Sequence, residues 1–167
     1  MGWARNVFTV EHMNESVFSR VENLLNQRGI SFQVLRHKAV FTSEEAAAVR
    51  GVALSSGAKA LLCKVDAQFV MFVIPADRKL DSKRVRQALG IRGLRFATPD
   101  ELRELTGLAP GAVPPFGSLF GLPTHCDTRL MENERINFNA GDHSISVSLS
   151  CKDYLELEKP NLGSFTA

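Results

Sequence analysis

The chain has 167 residues, 44% of them apolar and 23% charged, the proportions of a soluble globular domain large enough to bury a substantial core. No apolar run approaches the roughly 20 residues of a membrane span, and MGWARNVFTVEH lacks the apolar centre of a secretory signal. Cys63, Cys126 and Cys151 form no CxxC pair, which argues against a disulfide frame or zinc site and for a reducing, cytoplasmic setting, while a net charge of +2 gives no nucleic-acid signal by itself.

Residues 1–12 show no period and read as an irregular arm. From Asn14, the helical spacing of Val17, Val21, Leu24 and Leu25 predicts a helix that Gly29 ends. ISFQVLRH alternates as a strand does. In TSEEAAAVRG, Thr42 and Glu45 have the spacing of a capping box, the alanines favour helix, and Gly51 stops it. KALLCKV (59–65) and QFVMFVIP (68–75) are apolar runs joined by a short turn at Asp66 and Ala67, the pattern of a hairpin of central strands. Asp81 caps a helix running to Leu89, with Gly90 as its stop. Thr98, Pro99 and Glu101 open another, which Gly107 closes.

Gly107 to Pro123, GLAPGAVPPFGSLFGLP, can continue neither a helix nor a central strand, because proline lacks the N–H and glycine weakens regular structure. Leu108, Val113, Phe116, Leu119, Phe120 and Leu122 make it a packed, rigid loop rather than a polar tether. Its glycines admit close approach of a ligand to the backbone, although a purely structural connection has the same composition. Beyond it, THCD is a short strand and Asp127 caps a turn of helix. INFNAG and HSISVSLS are strands, and Ser150 with Asp153 starts a last helix, CKDYLELE. Strands and helices mix without a βαβ rhythm, so the fold class is α+β with a mixed sheet, in a single domain over 1–167.

Lys59 begins an apolar strand, where it is either an exposed strand-end lysine or a cation at a pocket edge that holds a phosphate or a developing oxyanion. Lys64, five positions on, faces the opposite side. His37 lines a cleft or serves as a structural histidine. The four histidines have no metal-ligand spacing, no GxSxG elbow is present, and Cys63 and Cys126 fall in strands as small buried hydrophobes. Arg78, Lys79, Lys83, Arg84, Arg86, Arg92 and Arg95 form a basic zone, which is a solvated face or a local phosphate-binding patch.

In order and spacing, VFTSEEAAAVRG, GAKALLCKV, VIPADRKLD, ATPDELRELTGLAPGAVPPFG and NFNAG resemble the YbaK-like, prolyl-tRNA synthetase-associated editing domains. The similarity covers residues 30–158, leaving 1–29 as an N-terminal arm and helix. It implies a barrel-like, largely closed mixed sheet with flanking helices, and hydrolysis of an amino acid wrongly esterified to the 3′ end of a tRNA. Lys59 matches the family's KxLL lysine, which helps position the terminal adenosine and the ester. Gly111 to Pro115 match its GxxxP loop, so Lys59 and Gly111 carry catalysis, while Ala112, Val113, Pro114, Pro115 and His37 bind the aminoacyl group. Lys79, Lys83, Arg84 and Arg86 would contact the tRNA. Water attacks, and neither metal nor other cofactor is required.

Ala60 stands where many members have threonine, and Pro114 removes an N–H that others can use. With no synthetase catalytic region in the sequence, the domain is expected to act in trans on a mischarged tRNA, with an aminoacyl-tRNA synthetase as a further partner and no membrane. A non-catalytic module binding a tRNA end or a synthetase is the competing reading. A small-molecule esterase is a third.

Overall fold

The computed structural model describes residues 15–167, so the expected arm over 1–12 lies outside the described residues. Helix α1 (Val17–Gln27) starts at Ser16, whose hydroxyl accepts from the Ser19 N–H, and buries Phe18, Val21 and Leu25. Strand β1 (Phe32–Arg36) leads through an extended segment to α2 (Ser43–Arg50), where Thr42 Oγ1 accepts from the Glu45 N–H. Strands β2 (Ala58–Val65) and β3 (Gln68–Pro75) form the expected hairpin in register, with Lys59 opposite Ile74 and Val65 opposite Gln68. Helix α3 (Ser82–Leu89) is capped by Asp81, and α4 (Pro99–Thr106) by a complete capping box of Thr98 and Glu101. Strands β5 (Thr124–Asp127), β6 (Arg135–Asn139) and β7 (Ile145–Ser150) follow, then α5 (Cys151–Glu158), capped by Ser150. β4 (Leu94–Phe96) and β8 (Asn161–Gly163) have no counterpart among the expected strands, each being too short to show a period of two.

The strands form two sheets, β1-β7-β6, all antiparallel, and β4-β2-β3-β5-β8, in which β5 lies parallel to both β3 and β8. The α+β class and the mixed sheet hold. The expected largely closed barrel does not, because neither sheet closes. Among the described residues one isolated bridge, Gly57 to Asn137, runs between them, where closure needs a continuous ladder.

Alternation along β2 and β3 sends neighbouring side chains to two cores. Leu62, Met71 and Val73 face the larger one, with Phe18, Val21 and Leu25 of α1, Ile136 and Phe138 of β6, Val147 and Leu149 of β7, and Tyr154 of α5. Cys63, Val65, Val70 and Phe72 face a smaller core, closed by Val85 of α3 and by Phe165. Among the described residues no helix is long and apolar enough to cross a membrane.

Candidate active site

The 107–123 loop is packed as its composition predicts. Ala112 through Gly117 are buried, and Val113 and Phe116 belong to the larger core. Phe116 meets Phe138 and Tyr154 edge-on at 5.6 and 5.4 Å, and the buried Tyr154 hydroxyl donates to the Pro115 carbonyl at 2.6 Å. Gly117 donates to Thr124 Oγ1 at 3.0 Å, in a place where a Cβ would lie 2.7 Å from the Leu122 carbonyl oxygen. Arg20 of α1 donates to the Leu119 carbonyl. These ties come from α1, β5 and α5, so the loop is held from three sides.

Its exposed corner is Gly111, at φ +86, a left-handed conformation that favours glycine. Asn139 Nδ2 donates to the Gly111 carbonyl at 2.9 Å, and Gly141 donates to the Ala112 carbonyl at 2.8 Å. The Ala112 N–H is spent on Ala109. The N–H groups of Gly111 and Val113 have no acceptor among the described residues. Pro114 has no N–H to offer, so over residues 111–114 these two are the available donors.

This corner borders a cleft of about 620 Å³. Its walls come from α2 and the segment before it, the start of β2, the turn after β3, and the β6–β7 connection, including Val40, Arg50, Lys59, Val113, Asn137 and His143. Much of the surface is small and apolar, with Ala46, Ala47, Ala53, Ala58, Ala60 and Ala76. Lys59 is exposed within it and makes no hydrogen bond or ion pair to a described residue. The family position of Ala60 thus lies on the cleft wall.

The structure brings Lys59, Gly111, Val113 and Lys79 to this one cleft. Ala112, Pro114 and Pro115 lie buried behind the loop's surface. His37 is outside the cleft lining; its Nε2 is 2.8 Å from Ser146 Oγ and its Nδ1 2.7 Å from the Lys38 carbonyl. Lys83, Arg84 and Arg86 sit exposed on α3 and are not among the lining residues, and Arg84 is engaged by Asp81 at 3.6 Å and Ser164 at 3.1 Å. Lys64 lies 5.7 Å from the Phe69 ring centre, a cation–π contact.

Sequence reasoning missed Arg50, Asn137, Asn139 and His143 as cleft residues. Arg50 Nε donates to Ser146 Oγ at 2.8 Å and Nη2 to Asn139 Oδ1 at 2.9 Å. His143 Nε2 lies 3.0 Å from the Pro110 carbonyl, and its ring packs 4.9 Å from that of Phe41, which is 73% exposed at the rim. Asn137 Nδ2 donates to Ser56 Oγ at 3.0 Å. Arg50 and Asn139 do lie within the VFTSEEAAAVRG and NFNAG segments, which was the available signal.

No cysteine is placed or poised as a nucleophile. Cys63 and Cys126 are fully buried, and burial pushes both thiols up to about 12, so neither holds thiolate at neutral pH. Among the described residues no three His, Cys, Asp or Glu side chains gather as a metal ion needs. What the cleft supplies is backbone N–H donors, cations that include Lys59, Lys79 and Arg50, and a small apolar wall.

Comparison with known proteins accords with this geometry. The aminoacyl-tRNA editing domain family matches residues 37–157, and the chain belongs to that family. It is 39% identical over 151 residues to the multifunctional Ser/Thr-tRNA deacylase ProXp-y of Escherichia coli K12, covering 87% of this chain and 90% of that one. It is 29% identical over 150 residues to the prolyl-tRNA editing protein ProX of Acetoanaerobium sticklandii, covering 86% and 91%. A solved structure titled as a candidate trans-editing enzyme for prolyl-tRNA synthetase superposes with a TM-score of 0.81 at 28% identity, over 92% of this chain and 98% of that one.

Proposed function

We propose that this protein is an aminoacyl-tRNA deacylase that acts in trans, hydrolysing the ester between a small, wrongly attached amino acid and the tRNA 3′ end. The observation that carries the proposal is the single cleft that joins Lys59 to the unclaimed N–H groups of Gly111 and Val113 beside an alanine-lined wall. Water attacks the ester carbonyl carbon. Negative charge gathers on the carbonyl oxygen, which the Gly111 and Val113 N–H groups receive. The bond to the ribose oxygen then breaks, that oxygen takes a proton, and the products are a free amino acid and a tRNA with its 3′ hydroxyl restored. Lys59 positions the terminal adenosine and ester.

Ala112, Pro114 and Pro115 act from beneath by fixing the loop's shape, so the donors are set before charge develops. His37 acts at one remove, through Ser146. Lys79 at the cleft, with Lys83, Arg84 and Arg86 exposed on α3, draws in the negatively charged acceptor end. A synthetase that releases the mischarged tRNA is the natural partner of such an activity. The serine and threonine in the name of the Escherichia coli relative point to small side chains as the first substrates to expect.

The test is release of amino acid from a panel of tRNAs charged with Ser, Thr, Ala, Pro and Leu, with and without the protein. The small residues should be released and Leu spared. Binding of tRNA without release from any member of the panel would point instead to a non-catalytic module.

A further inference from the structure

Arg50 ends α2 and lines the cleft, yet among the described residues no carboxylate pairs with it. Burial pulls its guanidinium down to about 10, which still leaves it charged at neutral pH. A cation half withdrawn from water without a counter-ion is stabilised by dipoles aimed at it. Two are in place, Ser146 Oγ at 2.8 Å from Nε and Asn139 Oδ1 at 2.9 Å from Nη2.

A guanidinium has donors and no acceptor. It therefore dictates the orientation of the Asn139 side-chain amide, whose oxygen must face Arg50 and whose NH2 must face away. On that far side the NH2 donates to the Gly111 carbonyl at 2.9 Å. The Gly111 backbone is the exposed corner of the loop, at φ +86, and nothing else among the described residues donates to that carbonyl.

We propose that Arg50 is a positioning residue, which locks the Asn139 amide and through it the Gly111 carbonyl, so that the Gly111 and Val113 N–H groups face the cleft before substrate arrives. The relay runs from the C-terminal residue of α2 across the end of β6 to the loop, and it rests on the deacylase reading for its effect on turnover. Lysine cannot replace Arg50, because one ammonium on a flexible stem does not hold Ser146 and Asn139 in the fixed fork of a guanidinium.

The experiment uses the full chain with a tRNA that the wild type deacylates. Arg50→Lys and Asn139→Ala should each lower kcat about 10- to 100-fold, the scale of a misplaced donor, with affinity for uncharged tRNA nearly unchanged. The double variant Arg50→Lys/Asn139→Ala should lose no more than the worse single, because both changes break one chain of contacts. Asn139→Asp separates the relay from stability. Its carboxylate pairs with Arg50 but has no hydrogen to give Gly111, so kcat should fall while the melting temperature is kept or raised. Multiplying losses in the double variant, or kcat losses that follow melting temperature across the series, would overturn the relay.

A second measurement does not depend on turnover. The Gly111 and Val113 amide resonances should shift in Arg50→Lys as they do in Asn139→Ala. Unmoved resonances would also overturn the relay. If the wild type released no amino acid but those resonances moved, the relay would stand and the deacylase reading would fall.

Discussion

Lys59 is exposed in the cleft with its charge uncommitted to any described residue, so the whole of that charge is available to a ligand. Lys59→Ala should lower deacylation by about 10²-fold, the scale of one lost charged contact in a transition state, with little change in melting temperature. Near-normal single-turnover release by this variant would remove Lys59 from the mechanism. His125 is the opposite case. It is buried between Phe72 and Phe165, its Nδ1 has no partner among the described residues, and burial lowers its pKa from the ordinary 6.5. The unfolded chain therefore takes up a proton here at a higher pH than the folded one. Stability from this group is complete above pH 6.5 and is lost as pH falls from there through the depressed folded value. His125→Phe should flatten the stability curve measured in urea between about pH 5 and 7, and an unchanged slope would assign the acid sensitivity elsewhere. Lys59 was legible because a lysine opening an apolar strand breaks a pattern. Arg50 was not, since an arginine in the last turn of a helix reads as a solvated partner of the helix dipole. Asn139 and His143 sit in no metal or nucleophile spacing and gain meaning from what they touch.

The loop behaves as an element although it has no regular structure. Gly111→Val forces a β-branched residue into φ +86 and sets its Cβ 3.4 Å from His143 Nε2. Release of amino acid should fall sharply, because the donors flanking this residue shift. Affinity for uncharged tRNA, which brings no ester to the corner, should change far less, and the buried 112–117 segment should keep the loss of stability modest. Equal losses in release and affinity with a collapsed melting temperature would make Gly111 a structural hinge alone. Most elements were readable from caps and periods. The expected helices over 81–89 and 99–106 have the expected caps at Asp81 and Thr98, and the hairpin over 59–75 falls in place. β8 was not readable, because its three residues are ordered by parallel pairing with β5, a partner 36 positions away from Asn161 at His125.

At the scale of the molecule, the expected closed sheet fails because no ladder among the described residues joins β2 to β6, the Gly57–Asn137 bridge being isolated. Periodicity reports which face of a strand is buried but not which strand lies beside it, so closure had no signature in the residues. The five-stranded sheet is finished instead by a clasp. The Asp127 carboxylate, 1% exposed, accepts from the N–H groups of Phe165 and Thr166 and from the Thr166 hydroxyl on one oxygen, and from the Arg129 N–H on the other. Asp127→Ala leaves those buried donors unsatisfied and should cost about 3 kcal/mol in urea unfolding. A cost below about 1 kcal/mol would mean that water replaces the carboxylate.

The clasp also sets an order of events during synthesis. Phe165 closes the smaller core and Thr166 bridges to Leu80, so strands made early wait for residues made near the end of the sequence described here. At about 5–20 residues per second, the stretch from β3 to Phe165 takes several seconds to emerge. Through that interval the Cys63 face of the hairpin lacks its cover. A thiol reagent applied to ribosome-bound chains halted before Phe165 should label Cys63, and chains long enough to expose Ala167 beyond the ribosome should resist it. Equal labelling of the two would mean that α3 alone shields the face. The residues that finish the fold are therefore a timing device as well as a structural one: the nascent protein passes through a period in which its larger core can assemble while its smaller core stays open to solvent and to other chains.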